Sequence, residues 1–236
     1  MTQFAALNAL PRPFFGDCLA LQSSKLTLHT RHSADRAEIE QFIQQQFRQH
    51  HQADINFFMP VLLSLHCAGQ LTAVVGLTAA ASQPLFLEQY LPAPIEQVLS
   101  AQQQIEIPRQ HILEVGNLVA SRSGSSLLLM VVLSELIAAS PYQWIAFTAT
   151  REVQSLLSKL HYQPLALAPA DVSKLADNPT GWGRYYQKQP TVMAGHALPA
   201  IASAQQLTRY QLIKRLFSEQ ITQISTELNL LEHSYA

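Results

Sequence analysis

The sequence predicts an α/β or α+β fold in which helices flank one mixed sheet. Segments with alternating apolar residues, typical of strands, are interleaved with segments whose apolar residues recur every three or four positions, typical of amphipathic helices. Helices join some consecutive strands and a tight turn joins others, so both parallel and antiparallel pairs are expected. The expected order is strand, helix, strand, strand, helix, strand, helix, strand, helix, strand.

The first predicted elements are a strand, a helix and a hairpin. KLTLHTR (25–31) alternates as a strand does, and Ser33 then occupies the position of a helix N-cap. Apolar residues at helical spacing follow it: Ile39, Phe42, Ile43 and Phe47. VLLSLHC and LTAVVGL flank AGQ, which predicts a β-hairpin. PLFLEQYLPAPIEQVLSAQQ contains helical segments interrupted by Pro92 and Pro94, and we expect Pro94 near the first position of a new helix.

Strands and helices alternate in the second half. HILEVGNLVA is a predicted strand, and residues 126–139 form a helix that is apolar on nearly every face and is therefore buried. YQWIAFTAT is a strand, REVQSLLSKL a short helix, HYQPLALA a strand, and DNPTGWGRYYQKQPTVMAGH a loop before a final strand. From Ala204 the spacing predicts one amphipathic helix of about seven turns. Its apolar residues are Tyr210, Ile213, Phe217, Ile221, Ile224, Leu228 and Leu231.

Composition excludes several classes of function. The 236 residues are 48% hydrophobic, and 15 basic against 16 acidic residues give a net charge of −1. No long run of one sign occurs, so neither a nucleic-acid groove nor a polybasic membrane patch is expected. Cys18 and Cys67 fit no disulfide framework and are interpreted as reduced packing residues. We expect an N-terminal extension (1–24), one main domain (25–198) and a C-terminal amphipathic helix (199–236).

Membrane, export and metal signals are weak. The longest apolar run, LLLMVVL, is far shorter than the roughly 20 residues that cross a bilayer. The N-terminal segment has no basic residue ahead of its apolar residues and is interrupted by Pro11 and Pro13, so it is a poor signal peptide. A cytoplasmic protein is expected. The nine histidines show no HExxH or similar spacing, and no metal site is predicted.

The stretch LEVGNLVASRSGSSLLLMVVLSELIA (113–138) is the first candidate site, because a strand, a small-residue loop and a helix follow one another there. That order exposes backbone N–H groups at a helix N-terminus, where a phosphate can bind. Gly124 permits close approach, the N–H groups of Ser125, Ser126 and Leu127 would point at a pyrophosphate, and Arg122 adds charge. An ordinary polar loop with a serine N-cap is the alternative.

Glu114 lies in the middle of an apolar strand. An unpaired ionised carboxylate would cost several kcal/mol there, so the group is hydrogen-bonded, raised in pKa or facing a wet cleft. Each of these suits a general base that removes a proton from an amine. A carboxylate satisfied by its neighbours, with no catalytic role, is the alternative. Gly116 beside Asn117 indicates a β-bulge in the same strand.

Five blocks in one order carry a family resemblance: FFMP, LFLEQYLPAPIE, EVGNLVA, FTAT and WGRYY. Together they resemble the thermostable haemolysin family over roughly residues 30 to 196. The element order with its phosphate-type loop also looks like the GNAT superfamily of N-acyltransferases, with which that family is grouped near the acyl-homoserine-lactone synthases. The resemblance implies a GNAT-like central sheet and the transfer of an acyl group from acyl-CoA or an acyl carrier protein.

The motifs match in part. The GNAT loop reads Gln/Arg-x-x-Gly-x-Gly/Ala, whereas this chain has serine at both ends, Ser121 and Ser126, and keeps only the central Gly124. The lactone synthases carry Glu-x-Ser-Arg where this chain has EVGN, so the glutamate at 114 transfers while the serine and arginine do not. Leu157 occupies the position at which GNAT enzymes often have a tyrosine that acts as general acid and protonates the leaving thiolate. Either Tyr185 or Tyr186 replaces that tyrosine, or the thiolate leaves without help.

The resemblance implies residue roles. Catalysis is assigned to Glu114, Asn117 and Tyr186, with N–H groups freed at the bulge holding the acyl carbonyl. Donor binding is assigned to five residues: Val119, Arg122, Gly124, Ser125 and Ser126. Acceptor binding is assigned to four: Asp54, Glu88, Tyr90 and Trp182. Packing, capping or solvated side chains are the alternatives at these positions.

The leading hypothesis is an N-acyltransferase that acts on a small amine or amino-acid-like acceptor. A membrane-lytic protein and a non-catalytic GNAT-like interaction module are the alternatives. The C-terminal helix can dock on its own domain, pair with a second copy or bind a partner such as a carrier protein, and its apolar seam is regular. The same helix could lie on a membrane, but its polar face carries few lysines or arginines, so a dimer or partner is favoured.

Overall fold

The computed structural model describes residues 23–122, 124–175 and 179–235, with the side chains of all but residues 179 and 229–235. Residues 1–22 of the predicted N-terminal extension, Cys18 among them, lie outside the described part. The seven strands form one sheet in the order β1-β2-β3-β4-β5-β7-β6. They are β1 Lys25–His29, β2 Val61–Cys67, β3 Gln70–Ala79, β4 Ile112–Ala120, β5 Trp144–Ala149, β6 Leu165–Pro169 and β7 Thr191–His196. Only β4 and β5 pair in parallel, and the predicted mixed sheet is thereby confirmed.

Seven α-helices occur among the described residues. They are α1 Arg36–His51, α2 Ile95–Gln103, α3 Ser125–Ala138, α4 Arg151–Lys159, α5 Ala197–Ala204, α6 Thr208–Leu216 and α7 Ser218–Tyr235. A 3₁₀ helix, Phe86–Tyr90, precedes α2. Helix α1 begins two residues later than an N-cap at Ser33 would place it, because the Ser33 hydroxyl accepts the Thr30 N–H (2.9 Å) and closes a separate turn.

The predicted hairpin between β2 and β3 is confirmed. Its two turn residues, Ala68 and Gly69, have φ angles of 52° and 74°. Two consecutive left-handed residues make the kind of turn whose twist matches that of the flanking antiparallel strands. The hairpin places β3 beside β4, the strand that carries Glu114.

Helices cover both faces of the sheet. Helices α3, α5, α6 and α7 pack on one face with buried residues of β2, β3 and β4. Helices α1 and α2 and the 3₁₀ helix pack on the other. Helix α3 lies between the sheet and the C-terminal helices, which explains why its sequence is apolar all round. Side chains along β4 therefore point alternately into two separate cores.

The C-terminal tail differs from the single helix that the sequence predicted. It forms three helices, α5 to α7, with interruptions after Ala204 and at Phe217. Tyr210, Ile213 and Phe217 are at most 3% exposed and belong to the same core cluster as α3. The apolar seam is thus largely used within the domain, and a dimer or partner through these helices stays a prediction. The spacing of apolar residues shows that one face of a helix is buried, but it does not reveal which part of the protein or of a partner covers that face.

Candidate active site

Strands β4 and β5 separate at their C-terminal ends. Their parallel register runs from Ile112 opposite Trp144 to Val115 opposite Phe147. Beyond that point, the described pairings of β4 are with β3 and those of β5 are with β7. The sheet therefore has an opening between the last residues of two neighbouring strands, where backbone groups can meet a ligand.

A bulge at the start of this opening confirms the expectation drawn from Gly116 and Asn117. From Gly76 to Val74 on β3 the partner residues shift from Gly116 to Val119, so β4 contains one extra residue. Asn117 has φ 45°, in the left-handed region, and its side chain is bonded at both ends. Its Oδ1 accepts the Met59 N–H (2.8 Å) and its Nδ2 donates to the Phe57 carbonyl (3.2 Å).

Gly116 leaves room for the flexible end of the Met59 side chain, which would have to move to admit a larger residue. A Cβ atom at this position would collide with the methyl end of Met59. The bulge and the missing side chain together let the segment that contains Phe57 and Met59 lie across β4. Asn117 thus acts as a positioning residue for one wall of the opening.

A cavity of about 220 Å³ passes through this opening and is lined by residues from both faces of the sheet. On the α3 face its wall includes Met130, Leu133, Ile137, Ala200 and Ile201, here called the α3–α5 chamber. On the α1 face its wall includes Phe57, Phe86, Tyr90, Trp182, Tyr185 and Tyr186, here called the aromatic chamber. The cavity therefore joins an aliphatic compartment to an aromatic one.

Glu114 lies in the wall of this cavity and is 3% exposed. Its Oε2 accepts the N–H of Phe86 (2.8 Å) and its Oε1 that of Leu87 (3.0 Å), at the start of the 3₁₀ helix. Burial raises the pKa of Glu114 to about 8, although the two N–H donors act in the opposite direction. Of the three possibilities that the sequence left for this group, two hold together, since it is hydrogen-bonded and raised in pKa, and it also lines a cavity.

Two tyrosines of the aromatic chamber share a hydrogen bond. The hydroxyl oxygens of Tyr90 and Tyr186 are 2.5 Å apart. Burial raises the pKa of both, that of Tyr186 to about 12, so both are neutral at physiological pH. One hydroxyl proton is used between the two oxygens, which leaves the other free to be donated to a ligand.

The predicted acceptor residues separate into two groups. Tyr90 and Trp182 line the cavity. Asp54 is exposed and pairs with Arg48 (2.7 Å). Glu88 binds Arg109 and accepts the N–H groups of Leu85 (2.8 Å) and Ile95 (2.9 Å), so it fastens the 3₁₀ helix to α2. The geometry gives both carboxylates structural partners away from the cavity, and their role in acceptor binding stays a prediction without geometric support.

The predicted donor residues lie at the end of β4 and the start of α3, and none of them lines the cavity. Val119 is buried in the core beneath α1. Gly124 is the N-cap of α3 with φ 87°, a left-handed conformation that glycine adopts without strain. Arg122 is exposed, Ser125 is buried and Ser126 is half-buried. A helix N-terminus with a glycine cap therefore stands where the resemblance assigns the phosphates.

A second polar cluster occurs between β1 and β2. His29 Nε2 lies 2.8 Å from Ser64 Oγ, and His29 Nδ1 lies 2.9 Å from Asp35 Oδ1. The order of the three groups is that of a hydrolase triad. Ser64, however, is fully buried within the sheet, so no substrate reaches it. This cluster ties β1 and the start of α1 to β2.

Four of the six residues of the aromatic chamber were singled out from the sequence: Tyr90, Trp182, Tyr185 and Tyr186. His51, Phe57 and Phe86 were not singled out, although all three line the cavity. Burial lowers the pKa of His51 to about 4, so its ring is neutral at physiological pH. The only signal for this wall was the recurrence of aromatic pairs in FFMP and WGRYY. No group of three or more His, Cys, Asp or Glu side chains suited to a metal ion occurs in the part of the chain that the structure describes.

The chain is similar in structure to solved synthases. It resembles the acyl-homoserine-lactone synthase LasI with a TM-score of 0.51 and 14% identity, over 75% of this chain and 94% of that one. It also resembles FeeM, an N-acyl amino acid synthase from uncultured soil microbes, with a TM-score of 0.49 and 9% identity, over 77% and 95% of the two chains. The similarity to LasI concerns the fold, and it confirms the expected arrangement of one mixed sheet flanked by helices. No curated protein sequence matches the chain.

One family model matches most of the sequence. The model describes Thermostable hemolysin and covers residues 29–201, from the end of β1 into α5. The matched region includes Glu114, the bulge and every residue of the aromatic chamber. No helix among the described residues is long and apolar enough to span a membrane. The chain belongs to the thermostable hemolysin family.

Proposed function

We propose that this protein is an acyltransferase that moves an acyl group from the thioester of coenzyme A or an acyl carrier protein to the nitrogen of a small amine. The observation that carries the proposal is the cavity between the separated ends of β4 and β5, with the Glu114 carboxylate in its wall. A thioester carbonyl in this opening has a compartment on either side, one for each reactant. We assign the polarisation of the carbonyl to backbone N–H groups at the bulge, where one residue of β4 has no partner on β3.

Glu114 is the general base of the proposed reaction. A carboxylate with a pKa of about 8 is matched to removing a proton near neutral pH. The N–H groups of Phe86 and Leu87 hold its two oxygens, so the carboxylate is oriented before substrate binds. Removing a proton from the ammonium frees the nitrogen lone pair for attack on the thioester carbon. Asn117 supports the step indirectly by holding the segment of Phe57 and Met59.

The Tyr90–Tyr186 pair is the proposed proton donor. Leu157, at the position of the usual GNAT tyrosine, is buried in the cavity wall and carries no proton to donate. One hydroxyl of the tyrosine pair keeps a free proton and lies in the aromatic chamber. We assign it to the leaving thiolate or to the carbonyl oxygen.

The donor side rests on two features. The α3–α5 chamber is lined by Met, Leu, Ile and Ala side chains, which suit a hydrocarbon chain. The N-terminus of α3, with Gly124 as its cap, suits the phosphates of the donor because helix N-termini favour anions. The five predicted donor residues keep this role as part of the proposal.

The test is the thermal stability of the purified protein with coenzyme A and with acyl-CoAs of increasing chain length, because a ligand that binds only the folded state raises Tm. We expect the shift to grow to an optimum length. Ala200→Trp fills the α3–α5 chamber and should abolish the gain from long chains. Leu198→Trp, on the same helix but 50% exposed, is the matched control and should preserve it.

The alternatives predict different results. A non-catalytic module would bind the donor and yield no amide with any amine. A donor restricted to acyl carrier protein would yield no shift with any acyl-CoA but would support turnover with the acylated carrier. A directly lytic protein would lyse erythrocytes as purified, lipid-free protein, whereas an acyltransferase would do so only after incubation with its substrates.

A further inference from the structure

We propose that the acceptor is an amine with an aromatic or hydrocarbon body and no acidic group, and that amino acids are poor acceptors. This inference rests on the proposed acyl transfer and narrows its second substrate. It comes from the aromatic chamber and from the charges around it. The amino-acid-like acceptor expected from the sequence is thereby replaced by a more specific class.

The aromatic chamber is a continuous wall of rings. Phe86 contacts Phe57 and Trp182, with ring centroids 4.4 and 5.5 Å apart. Trp182 continues the wall to Tyr185 (5.4 Å) and Tyr186 (5.9 Å). Such a surface binds flat or aliphatic groups through dispersion, and the faces of Trp and Tyr attract cations.

The wall begins at the general base. Phe86 supplies both a ring of the chamber and one of the N–H groups that hold Glu114. An ammonium group beside Glu114 is therefore next to rings, and the body of the same molecule lies against them. Both the carboxylate of Glu114 and the aromatic faces favour a positive charge, such as that of an ammonium group.

The charges of the cavity wall are of one sign. Among the described lining residues, Glu114 is the one carboxylate, and neither lysine nor arginine is present. Two histidines, His51 and His196, also line the cavity. His51 is neutral at physiological pH because burial lowers its pKa to about 4, and its buried Nδ1 has no hydrogen-bond partner.

Among the described cations of the surrounding elements, Arg184 is exposed, and three others have partners. Arg109 binds Glu88 and Glu96. Lys174 donates to the carbonyl oxygen of Tyr90 (2.9 Å). Lys188 pairs with Glu152 (2.8 Å). A carboxylate on the acceptor would therefore be desolvated beside the ionised form of Glu114, a like charge, and no described lysine or arginine lines the cavity to offset it.

The reaction balances with this acceptor. Glu114 takes one proton from the ammonium group, and the nitrogen attacks the thioester carbon. The C–N bond forms and the C–S bond breaks. The electron pair of the C–S bond stays on sulfur, and the resulting thiolate is protonated by the tyrosine pair. The nitrogen then loses its second proton. The net products of an ammonium ion and a thioester are an amide, a thiol and one proton.

Pairs of acceptors that differ only in the α-carboxylate provide the test. With an acyl-CoA that raises Tm, kcat/KM would be measured for tyramine against tyrosine, for tryptamine against tryptophan, and for tyrosine methyl ester, by thiol release and mass spectrometry of the amide. We expect each amine to exceed its amino acid at least about 100-fold, and the ester, which lacks the negative charge, to recover most of that difference.

A charge introduced into the wall sharpens the test. His51→Arg places a cation at the chamber and should shift the ratio of tyrosine to tyramine at least about tenfold toward tyrosine. His51→Gln, which is neutral, should leave the ratio as in the wild type. Both variants must keep the Tm shift with acyl-CoA, so that a change in ratio is not a folding defect.

The outcomes separate this inference from the proposed function. Equal or faster acylation of the amino acids overturns the acceptor class and leaves acyl transfer standing. An unchanged ratio in His51→Arg contradicts the charge argument. No amide with any acceptor, from either acyl-CoA or acylated carrier protein, overturns both proposals.

Discussion

Glu114 and Glu135 are both buried glutamates, 3% and 8% exposed, on opposite sides of the sheet. Glu135, on α3, pairs with Lys214 (2.7 Å) and accepts hydrogen bonds from Tyr210 (2.8 Å) and Gln205 (2.9 Å). Its pKa is lowered by these partners although burial acts in the opposite direction. Glu114 has two backbone N–H donors and no cation among its described partners, and burial raises its pKa.

The difference between the two sites shows that a buried glutamate can have either a structural or a chemical role, depending on its partners. Glu135 is held in its ionised state by the cation of Lys214. Its bonds to Lys214, Tyr210 and Gln205 fasten the C-terminal helices to α3. A buried carboxylate that is held by neutral donors at the wall of a cavity has a pKa close to the pH around it. It can therefore take up and release a proton. Perturbed pKa values mark functional sites only together with such geometry.

The largest expected effect is on catalysis. Glu114→Gln removes the base, and kcat should fall about 10²- to 10⁴-fold. Glu135→Gln, the matched change at a buried glutamate outside the cavity, should retain kcat within about fivefold, since its side chain touches no lining group of the proposed reaction. Steady-state thiol release with the preferred amine measures both. Equal losses of kcat in the two variants would show that the loss comes from reduced stability and not from removal of a catalytic base.

The next effect is on stability. Tyr210→Phe removes a hydrogen bond to the charged Glu135 and should lower the free energy of unfolding by about 1.5–3 kcal/mol. Urea denaturation measures the change. In a Glu135→Gln background the same substitution should cost less, because the bond is then between neutral groups. An undiminished cost there would assign the effect to packing of the Tyr210 ring.

The smallest effect is on pH dependence. Glu114 acts as a base only when ionised, and its pKa of about 8 lies above the ordinary value. Activity should therefore rise with pH, by about tenfold in kcat between pH 7 and 9, and level off above that. Glu135→Gln should keep this rise, and the residual activity of Glu114→Gln should lack it. A rate that is flat across this range contradicts the role of Glu114.

Local patterns were sufficient for much of the fold. Alternation in KLTLHTR and the AGQ turn correctly predicted β1 and the hairpin, because strand period and turn conformation depend on neighbouring residues. The boundaries were less predictable. Ser33 closes a turn of its own instead of capping α1, and the seam from Tyr210 to Leu228 divides into two helices that fold onto α3.

The sequence by itself determined that a carboxylate would lie in an apolar strand, next to a bulge and ahead of a glycine-capped helix, because these features lie within a dozen residues of one another. Only the tertiary structure decided what surrounds that carboxylate. Phe57, Phe86 and Trp182 are distant in sequence and meet because the 3₁₀ helix and the loop before β7 pack on one face of the sheet. The same packing gives Glu88 an arginine and leaves Glu114 with neutral donors, since long-range contacts allocate the partners of a buried charge.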